Sequence, residues 1–224
     1  PTYDTLAAAN QFGPDNLFIH MTGMSDMSWQ KVKDAGAGVS LAVPIEMNMR
    51  HGMPPIMKTL AMGIQPSLSV DVECTLTADM FTQMRSAMAL QRGFVNQMAL
   101  EQGNPATLPE LLTTRDVLRF ATMEGARDLR LERKTGSLTP GKEADIILLD
   151  AEAINVAPLN VVPGAVVSLM ERSNVETVIV AGKVRKWKGK LVDVDLRRLG
   201  RKLEGLRGYL LGAAGIPQNL FRPN

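Results

Sequence analysis

Gly63-Ile64-Gln65-Pro66-Ser67-Leu68-Ser69-Val70-Asp71-Val72-Glu73 is the stretch on which the fold turns. A short apolar run drives straight into two acids. Such a run reads as a strand buried in a parallel sheet, and an acid at its end stands where these strands open onto a cleft. A carboxylate held there needs a cation, a metal or a proton beside it. Asp71 is therefore a candidate site residue. Upstream, Leu17-Phe18-Ile19-His20 repeats the design with a histidine at its end. A third apolar run, residues 39–43, leads into Pro44-Ile45-Glu46. Three strands that each end in a chemical group predict the rim of a (β/α) barrel.

The segments between these strands have helical character. Residues 5–12 predict a short helix stopped by Gly13-Pro14. Ser25 or Asp26 can cap a helix running to about Ala35, with Gly36 as its stop. Pro54-Pro55 can open a helix that carries Ile56, Leu60 and Met62 before Gly63. Thr77 can cap a long helix with Met80, Met84, Met88 and Gln91 on one face, flanked by Phe81 and Ala87. Thr114 starts another, with Val117, Leu118, Ala121 and Ala126 as its apolar positions. The alternation of strand and helix implies parallel strands joined by right-handed crossovers.

The character changes near Gly136. Residues 136–142 are rich in turn formers, and residues 144–149 form a compact apolar strand. Residues 161–169 and 175–180 read as further strands. Ala181-Gly182-Lys183 makes a tight turn, and residues 183–187 pair back as a hairpin. A last helix over residues 195–211 carries Leu196, Leu199, Leu203, Leu206 and Leu210 on one face, followed by a loose or docking tail over 212–224.

Size and composition bound the function. A chain of 224 residues can bury a core in one or two domains, and 45% apolar with 21% charged residues is ordinary globular composition. A net charge of +2 gives no reason to expect a nucleic-acid partner. The basic residues Lys183, Arg185, Lys186, Lys188 and Lys190 around Trp187 read more simply as a half-exposed hairpin than as a polyanion strip. Cys74 is the single cysteine, which suits a reducing, cytoplasmic compartment. No apolar run approaches the roughly 20 residues that span a bilayer, and no signal peptide is visible. The first residue is Pro1 rather than Met, and the motifs favour a piece of a longer protein.

Each candidate has a plain alternative. His20 is a structural histidine, or it holds a metal, shuttles a proton or contacts a substrate carbonyl. Asp71 caps the turn toward Thr75 and Thr77, or it is a metal ligand that takes a proton from a metal-bound water. Glu46 contacts substrate or pairs with Arg50. His51, the only other histidine, lies in a Gly/Pro-rich loop that can fold over a pocket, or it is a plain exposed loop histidine. Glu73 is a second rim acid or a solvated one. Met21, Met24, Met27, Met47, Met49 and Met53 line an adaptable pocket or fill core. No His-x-His pair, Cys-x-x-Cys or His-Glu-x-x-His occurs. Nor does a phosphate-cradling loop or a Gly-x-Ser-x-Gly elbow. A catalytic zinc usually takes three protein ligands, so the set is incomplete.

Several motifs nonetheless carry a resemblance. They are Gly13-Pro14-Asp15 leading to His20 and Ser25-Asp26, Met49-Arg50-His51-Gly52-Met53-Pro54-Pro55, Ser67-Leu68-Ser69-Val70-Asp71, and Asp79-Met80-Phe81 with Met84-Arg85. Ala121-Thr122 with Gly125-Ala126, Gly136-Ser137-Leu138-Thr139-Pro140-Gly141-Lys142-Glu143-Ala144-Asp145-Ile146-Ile147 and Val178-Ile179-Val180-Ala181-Gly182-Lys183 complete the set. Together they resemble the carboxy-terminal half of an amidohydrolase-superfamily protein, of the cytosine deaminase-like and chlorohydrolase-like branch. The resemblance implies an α/β fold: the C-terminal part of a (β/α)8 TIM barrel, about strands 6–8, followed by the C-terminal part of a β-sandwich and a final helix. It divides the chain into residues 1–135, 136–194 and 195–224.

By the same resemblance His20 and Asp71 are catalytic, Asp71 also a metal ligand, and Glu46, His51 and Glu73 contact substrate. The complete enzyme carries a divalent metal, zinc or iron, whose bound water attacks an sp² carbon while Asp71 moves the proton and His20 stabilises developing charge. The reaction implied is deamination or cyclic-amide hydrolysis of a small molecule such as an aminated heterocycle, with dehalogenation the lesser branch. The chain alone is expected to be inactive and to bind no metal tightly, and its open strand edges predict pairing with a missing amino-terminal half or a homo-oligomer. A non-catalytic interaction module derived from the family is the alternative. The usual Gly-Thr-Asp-Gly around the aspartate reads Ser69-Val70-Asp71-Val72-Glu73 here, and the usual Ser-Asn after the seventh strand reads Ile45-Glu46-Met47. Both departures alter pocket-facing groups.

Overall fold

The computed structural model describes residues 2–74, 76–103 and 105–217; Thr75, and the predicted tail over 218–224, lie outside them. The first helix, α1 (Thr2–Ala8), stops before the predicted Phe12, because Asn10 already turns left-handed at φ 53°. Strand β1 (Leu17–Ile19) follows, then helix α2 (Asp26–Asp34), capped by Ser25, whose Oγ accepts from the Ser28 N–H at 3.2 Å.

Strand β2 (Gly38–Leu41) ends at Leu41 rather than at the predicted Val43. Val43 instead opens helix α3 (Val43–Asn48), with Pro44 in its first turn. Proline's missing N–H is harmless there and disruptive in a central strand. Helix α4 (Ile56–Ala61) and strand β3 (Ser67–Leu68) complete the unit. The three strands form a parallel sheet in the order β1-β2-β3, with Phe18 beside Val39 and Leu41 beside Leu68. Parallel neighbours need long crossovers, which the intervening helices supply.

Helix α5 (Met80–Gln102) is capped by Asp79 and not by the predicted Thr77. Asp79 Oδ1 accepts from the Thr82 N–H at 2.7 Å and Oδ2 from the Thr82 hydroxyl at 2.8 Å. Its buried face carries Phe81, Met84, Ala87, Gln91 and Val95. Gln91 is tolerated there because both ends of its amide are used. Its Nε2 donates to Glu110 O at 2.9 Å, and its Oε1 accepts from the Leu112 N–H at 3.0 Å. Helix α6 (Thr114–Arg119) runs through a wide turn, Phe120–Glu124, into α7 (Gly125–Asp128). Inside that turn buried Glu124 accepts from Arg119 Nε at 2.6 Å and from Arg127 Nη1 at 2.5 Å. Trp29, Val39, Leu41, Ile56, Val117 and Phe120 are fully or almost fully buried between the sheet and these helices. Each such side chain contributes on the order of 1.5–3 kcal/mol.

Two glycines are required by close approach. A Cβ on Gly38 would collide with the Asp128 carboxylate, and one on Gly136 would stand 2.6 Å from Ala126 Cβ at a backbone φ of 86°. Gly136 thus lets the turn-rich segment lie against α7.

Strand β4 (Ile146–Leu149) opens the second unit. The predicted strand over residues 161–169 is instead helix α8 (Val162–Ser168). Its valines favour strands in isolation. But Pro163 fits a first helical turn, and the helix buries Ala165 and Val167 against α5 and α6. Arg85 of α5 fastens it, donating to Val167 O at 3.2 Å and to Met170 O at 2.7 Å. Strands β5 (Val175–Val180) and β6 (Lys183–Trp187) make the expected hairpin, a short β7 (Lys190–Leu191) that the sequence did not announce pairs with β6, and the antiparallel order is β4-β5-β6-β7. The basic residues of β6 lie on this exposed hairpin.

Helix α9 (Leu196–Ala213) is capped by Asp195 and buries no side chain. Leu196, Leu199, Leu203, Leu206 and Leu210 are all between 45% and 59% exposed. Among the described residues no helix is long and apolar enough to cross a membrane.

Candidate functional site

The carboxyl ends of β1, β2 and β3 lie side by side. The ladder runs past each strand: the His20 N–H donates to Ser40 O at 3.0 Å, and the Ser69 N–H to Leu41 O at 2.9 Å. Immediately afterwards the backbone turns sharply. His20, Met21 and Asp71 have φ of 68°, 51° and 65°. For non-glycine residues such a conformation costs on the order of 1–3 kcal/mol and persists only where surrounding structure enforces it.

Glu46 joins these groups from the start of α3, just past the carboxyl end of β2. It sits in the first turns of α3, fully buried, and its Oε1 accepts from the Ala42 N–H at 2.8 Å. That bond satisfies a helix-start donor, as the glutamate of a capping box does. The same oxygen lies 3.1 Å from His20 Nδ1. Its other oxygen, Oε2, is buried without a hydrogen-bond partner. Burial pushes the Glu46 carboxyl above its ordinary range, while the Ala42 N–H and the His20 ring pull it down.

The far side of the imidazole faces Asp71. His20 Nε2 stands 3.6 Å from Asp71 Oδ2, an ion-pair distance longer than a hydrogen bond, and the two side chains are 24% and 31% exposed. One imidazole therefore lies between two carboxylates, one buried and one open to solvent. His51 approaches from its loop, edge-on to His20 with ring centroids 5.1 Å apart. A small cavity of about 190 Å³ lies among Phe18, His20, Met21, Met24 and His51.

The structure thus gathers His20, Glu46, His51 and Asp71. Glu46 is not on the open face that substrate contact requires, and its partners are His20 and Ala42 rather than Arg50. Glu73 is exposed and lines a separate shallow depression with Cys74, Leu76 and Arg172. Met21 and Met24 border the cavity. Met27, Met47, Met49 and Met53 are 46–60% exposed and fill no core. A larger cavity, about 860 Å³, lies between α4, α5 and residues 109–112 and touches none of the four gathered residues. The Glu46–His20 pairing was missed in the sequence because nothing about a glutamate after Pro44 announces that it is buried against His20.

Among the described residues no group of three or more His, Cys, Asp and Glu side chains is disposed to hold a metal ion. His20 Nε2 and Asp71 Oδ2 make two donors, short of the three protein ligands of a catalytic zinc. These side chains do not amount to a metal centre.

The model of the amidohydrolase family matches residues 10–185. The chain belongs to the amidohydrolase family. It is 33% identical over 174 residues to a 5'-deoxyadenosine deaminase of Methanosarcina mazei, covering 77% of this chain and 37% of that protein. It is 30% identical over 163 residues to a 5-methylthioadenosine/S-adenosylhomocysteine deaminase of Moorella thermoacetica, covering 72% and 36%. The chain thus spans less than half the length of the curated relatives it matches. Its fold is that of an adenosine deaminase from Xanthomonas campestris solved with bound zinc (TM-score 0.78, 22% identity, 92% of this chain and 45% of that one). It is also that of an atrazine chlorohydrolase from Arthrobacter aurescens (TM-score 0.74, 19% identity, 87% and 41%).

Proposed function

We propose that this chain supplies the carboxy-terminal share of a hydrolase that cleaves non-peptide C–N bonds, with deamination of an aminated heterocycle as its reaction. The observation that carries the reading is His20 set between Glu46 and Asp71 at the aligned ends of three parallel strands, in a chain of the amidohydrolase family. On this reading β1, β2 and β3 are about the sixth to eighth strands of a (β/α)8 barrel. Residues 136–194 are part of a β-sandwich, and residues 195–224 are an appended helix and tail. The deaminase relatives make adenine-type nucleosides the first substrates to test. Cyclic amides and carbon–halogen bonds are further classes to screen. The single cysteine is in keeping with a cytoplasmic location.

The chain's own residues have definite tasks in such a reaction. Water adds to the sp² carbon, forming a C–O bond, and the C–N bond breaks to release ammonia. Asp71, partly open to solvent, takes a proton from the water and returns it to the departing nitrogen. His20 faces Asp71 through Nε2 and, when protonated, stabilises negative charge developing beside it. His51 borders the cavity and contacts the substrate. Glu73 stands apart, and the reading gives it no task. A divalent metal, zinc or iron, needs ligands beyond those this chain brings together. The remaining ligands belong to polypeptide that completes the barrel, or to a second copy.

The test is reconstitution. The chain is assayed for ammonia release from 5'-deoxyadenosine, 5-methylthioadenosine and S-adenosylhomocysteine, alone and co-expressed with an amidohydrolase amino-terminal segment bearing a His-x-His strand, with metal analysis of both samples. Activity and bound metal only in the assembled sample are expected. Full turnover by the chain alone would refute the shared centre. Inactivity of an assembled, metal-loaded sample on every substrate class would favour the rival reading, a non-catalytic interaction module. The incomplete donor set among the described residues is the observation on that rival's side.

A further inference from the structure

We infer that the leucine face of α9 is a docking surface for an acidic amphipathic helix carried by a separate partner protein. The family model ends at residue 185, so α9 lies beyond the part of the chain from which the proposed function is drawn.

Little in its own sequence sustains α9 as a helix. Gly200, Gly205 and Gly208 lie inside it, and each weakens a helix interior. Helices in proteins take most of their stability from packing an apolar face. Here that face is bare. No side chain of α9 is buried, and Leu196, Leu199, Leu203, Leu206 and Leu210 stand open to solvent. Arg197, Arg198, Arg201, Lys202 and Arg207 outnumber the single acid, Glu204. None of these five cations enters a salt bridge among the described residues. The apolar and the ionic halves of the helix both lack a counterpart within the described residues.

Spacing decides the shape of that counterpart. The leucines recur at intervals of three and four, the rhythm of a coiled-coil seam, with Leu196, Leu203 and Leu210 at a and Leu199 and Leu206 at d. Such a seam is narrower than the stripe with which a surface helix meets a globular core. Trp and Phe, which anchor helices lying on a bilayer, are absent from α9. The complement of a narrow leucine seam is the seam of another helix. Charge then decides whose helix it is. The flanking positions e and g set partner choice, and in α9 they are Gly200, Lys202, Arg207 and Tyr209. The charged flanks are thus both basic. Two copies of α9 would bring these cations together whichever way they ran, and like charges across a seam oppose pairing. A helix with leucines at a and d and glutamate at e and g meets them with opposite charge. Arg197, Arg198 and Arg201 extend the field in the same sense.

The test uses the full chain and two fluorescein-labelled peptides of three heptads, both with Leu at a and d, one with Glu and one with Lys at e and g. Fluorescence anisotropy at low ionic strength reads binding. The Glu peptide is expected to bind saturably, and the Lys peptide more than about tenfold more weakly. Added salt is expected to narrow the difference. Leu203→Glu combined with Leu206→Glu is expected to abolish binding. Lys202→Glu combined with Arg207→Glu is expected to reverse the preference between the peptides. None of these side chains is buried, so both double variants are expected to keep the wild-type thermal midpoint. Absence of binding, equal binding of the two peptides, or a preference that survives the charge swap would overturn the proposal. A lowered midpoint in the leucine variant would mean that α9 packs on its own chain, and would overturn it too. So would three other occupants of the seam. A second copy would show as a dimer in sedimentation that the leucine variant lacks. A bilayer would show as binding to phosphatidylserine-containing vesicles that the leucine variant loses. Polypeptide that completes the barrel would show as loss of peptide binding in the co-expressed, assembled sample. Peptide binding is read on the chain itself and deamination on the assembled sample, so either can fail without the other.

Discussion

His20 and Asp71 share one backbone solution. Each follows a parallel strand, each turns left-handed, at φ 68° and 65°, and their side chains meet at 3.6 Å between Nε2 and Oδ2. Histidine and aspartate are among the few side chains that tolerate this region. The same turn that costs stability brings both groups to the rim, so the rim's geometry and its local strain have one origin.

Asp71 can therefore be varied along two separate axes. Asp71→Asn keeps the shape and the tolerance for positive φ. Its unfolding midpoint is expected to match the wild type, while any deamination found for the assembled sample under the proposed function falls about 10²–10⁴-fold. Asp71→Ile is expected to lower stability by about 1–3 kcal/mol in urea titrations, because a β-branched residue is a true outlier at this φ. Equal midpoints for the isoleucine and asparagine variants would remove strain from the account.

Asp128 sets a pH dependence of known sign. Burial pushes its carboxyl above the usual range, against a lowering hydrogen bond from Ser67 and with the nearby Glu124 carboxylate adding to the rise. Its Oδ2 is buried without a partner. A group raised on folding gives its full stability below its unfolded value, about 3.9, and loses it as pH climbs through the folded value. Asp128→Asn does not titrate. The variant is expected to gain on the wild type progressively as pH rises above the unfolded carboxylate value. A constant difference across that rise, measured by urea midpoints, would count against the assignment.

Gly38 and Asp128 are coupled by contact. A methyl group at position 38 would strike the Asp128 carboxylate and approach Leu17 Cδ1 at 3.1 Å. Gly38→Ala is expected to cost about 1–3 kcal/mol in the wild-type background and markedly less once Asp128 is alanine. A double-mutant cycle with no interaction energy would show that the collision is relieved elsewhere.

Helix α9 contributes little to the folded unit. None of its side chains is buried, so a chain ending at Val194 is expected to unfold within about 0.5 kcal/mol of the whole chain. A large drop in its thermal midpoint would mean that the helix packs in solution.

Much of this molecule could be read from its residues. The three parallel strands, the Ser25 cap, the Gly36 and Gly63 stops and the β5–β6 hairpin obey local rules, and the structure has them. The exceptions are those that local rules cannot see. Residues 162–168 carry strand-forming valines, yet they pack as a helix because α5 and α6 offer a surface for one and Arg85 holds its end. Asp79 takes the cap from Thr77 because a carboxylate can accept both the N–H and the hydroxyl of Thr82. At the rim, His20 and Asp71 were legible as strand-end groups. Glu46 was legible as a rim residue but not as the partner of His20, since only the pairing of β1 with β2 and the start of α3 bring them within 3.1 Å. Glu73 shares Asp71's sequence neighbourhood but not its place, because the chain turns between them.

The open leucine stripe of α9 is expected to shape how this chain behaves in solution. Arginines 197, 198, 201 and 207 and Lys202 keep neighbouring molecules apart by charge, while the leucines draw them together. Added salt weakens the first effect, and warming strengthens the second. Cold, dilute buffer of low ionic strength is the condition expected to keep the chain dispersed, and on this account clouding on addition of salt would report the helix rather than the stability of the fold.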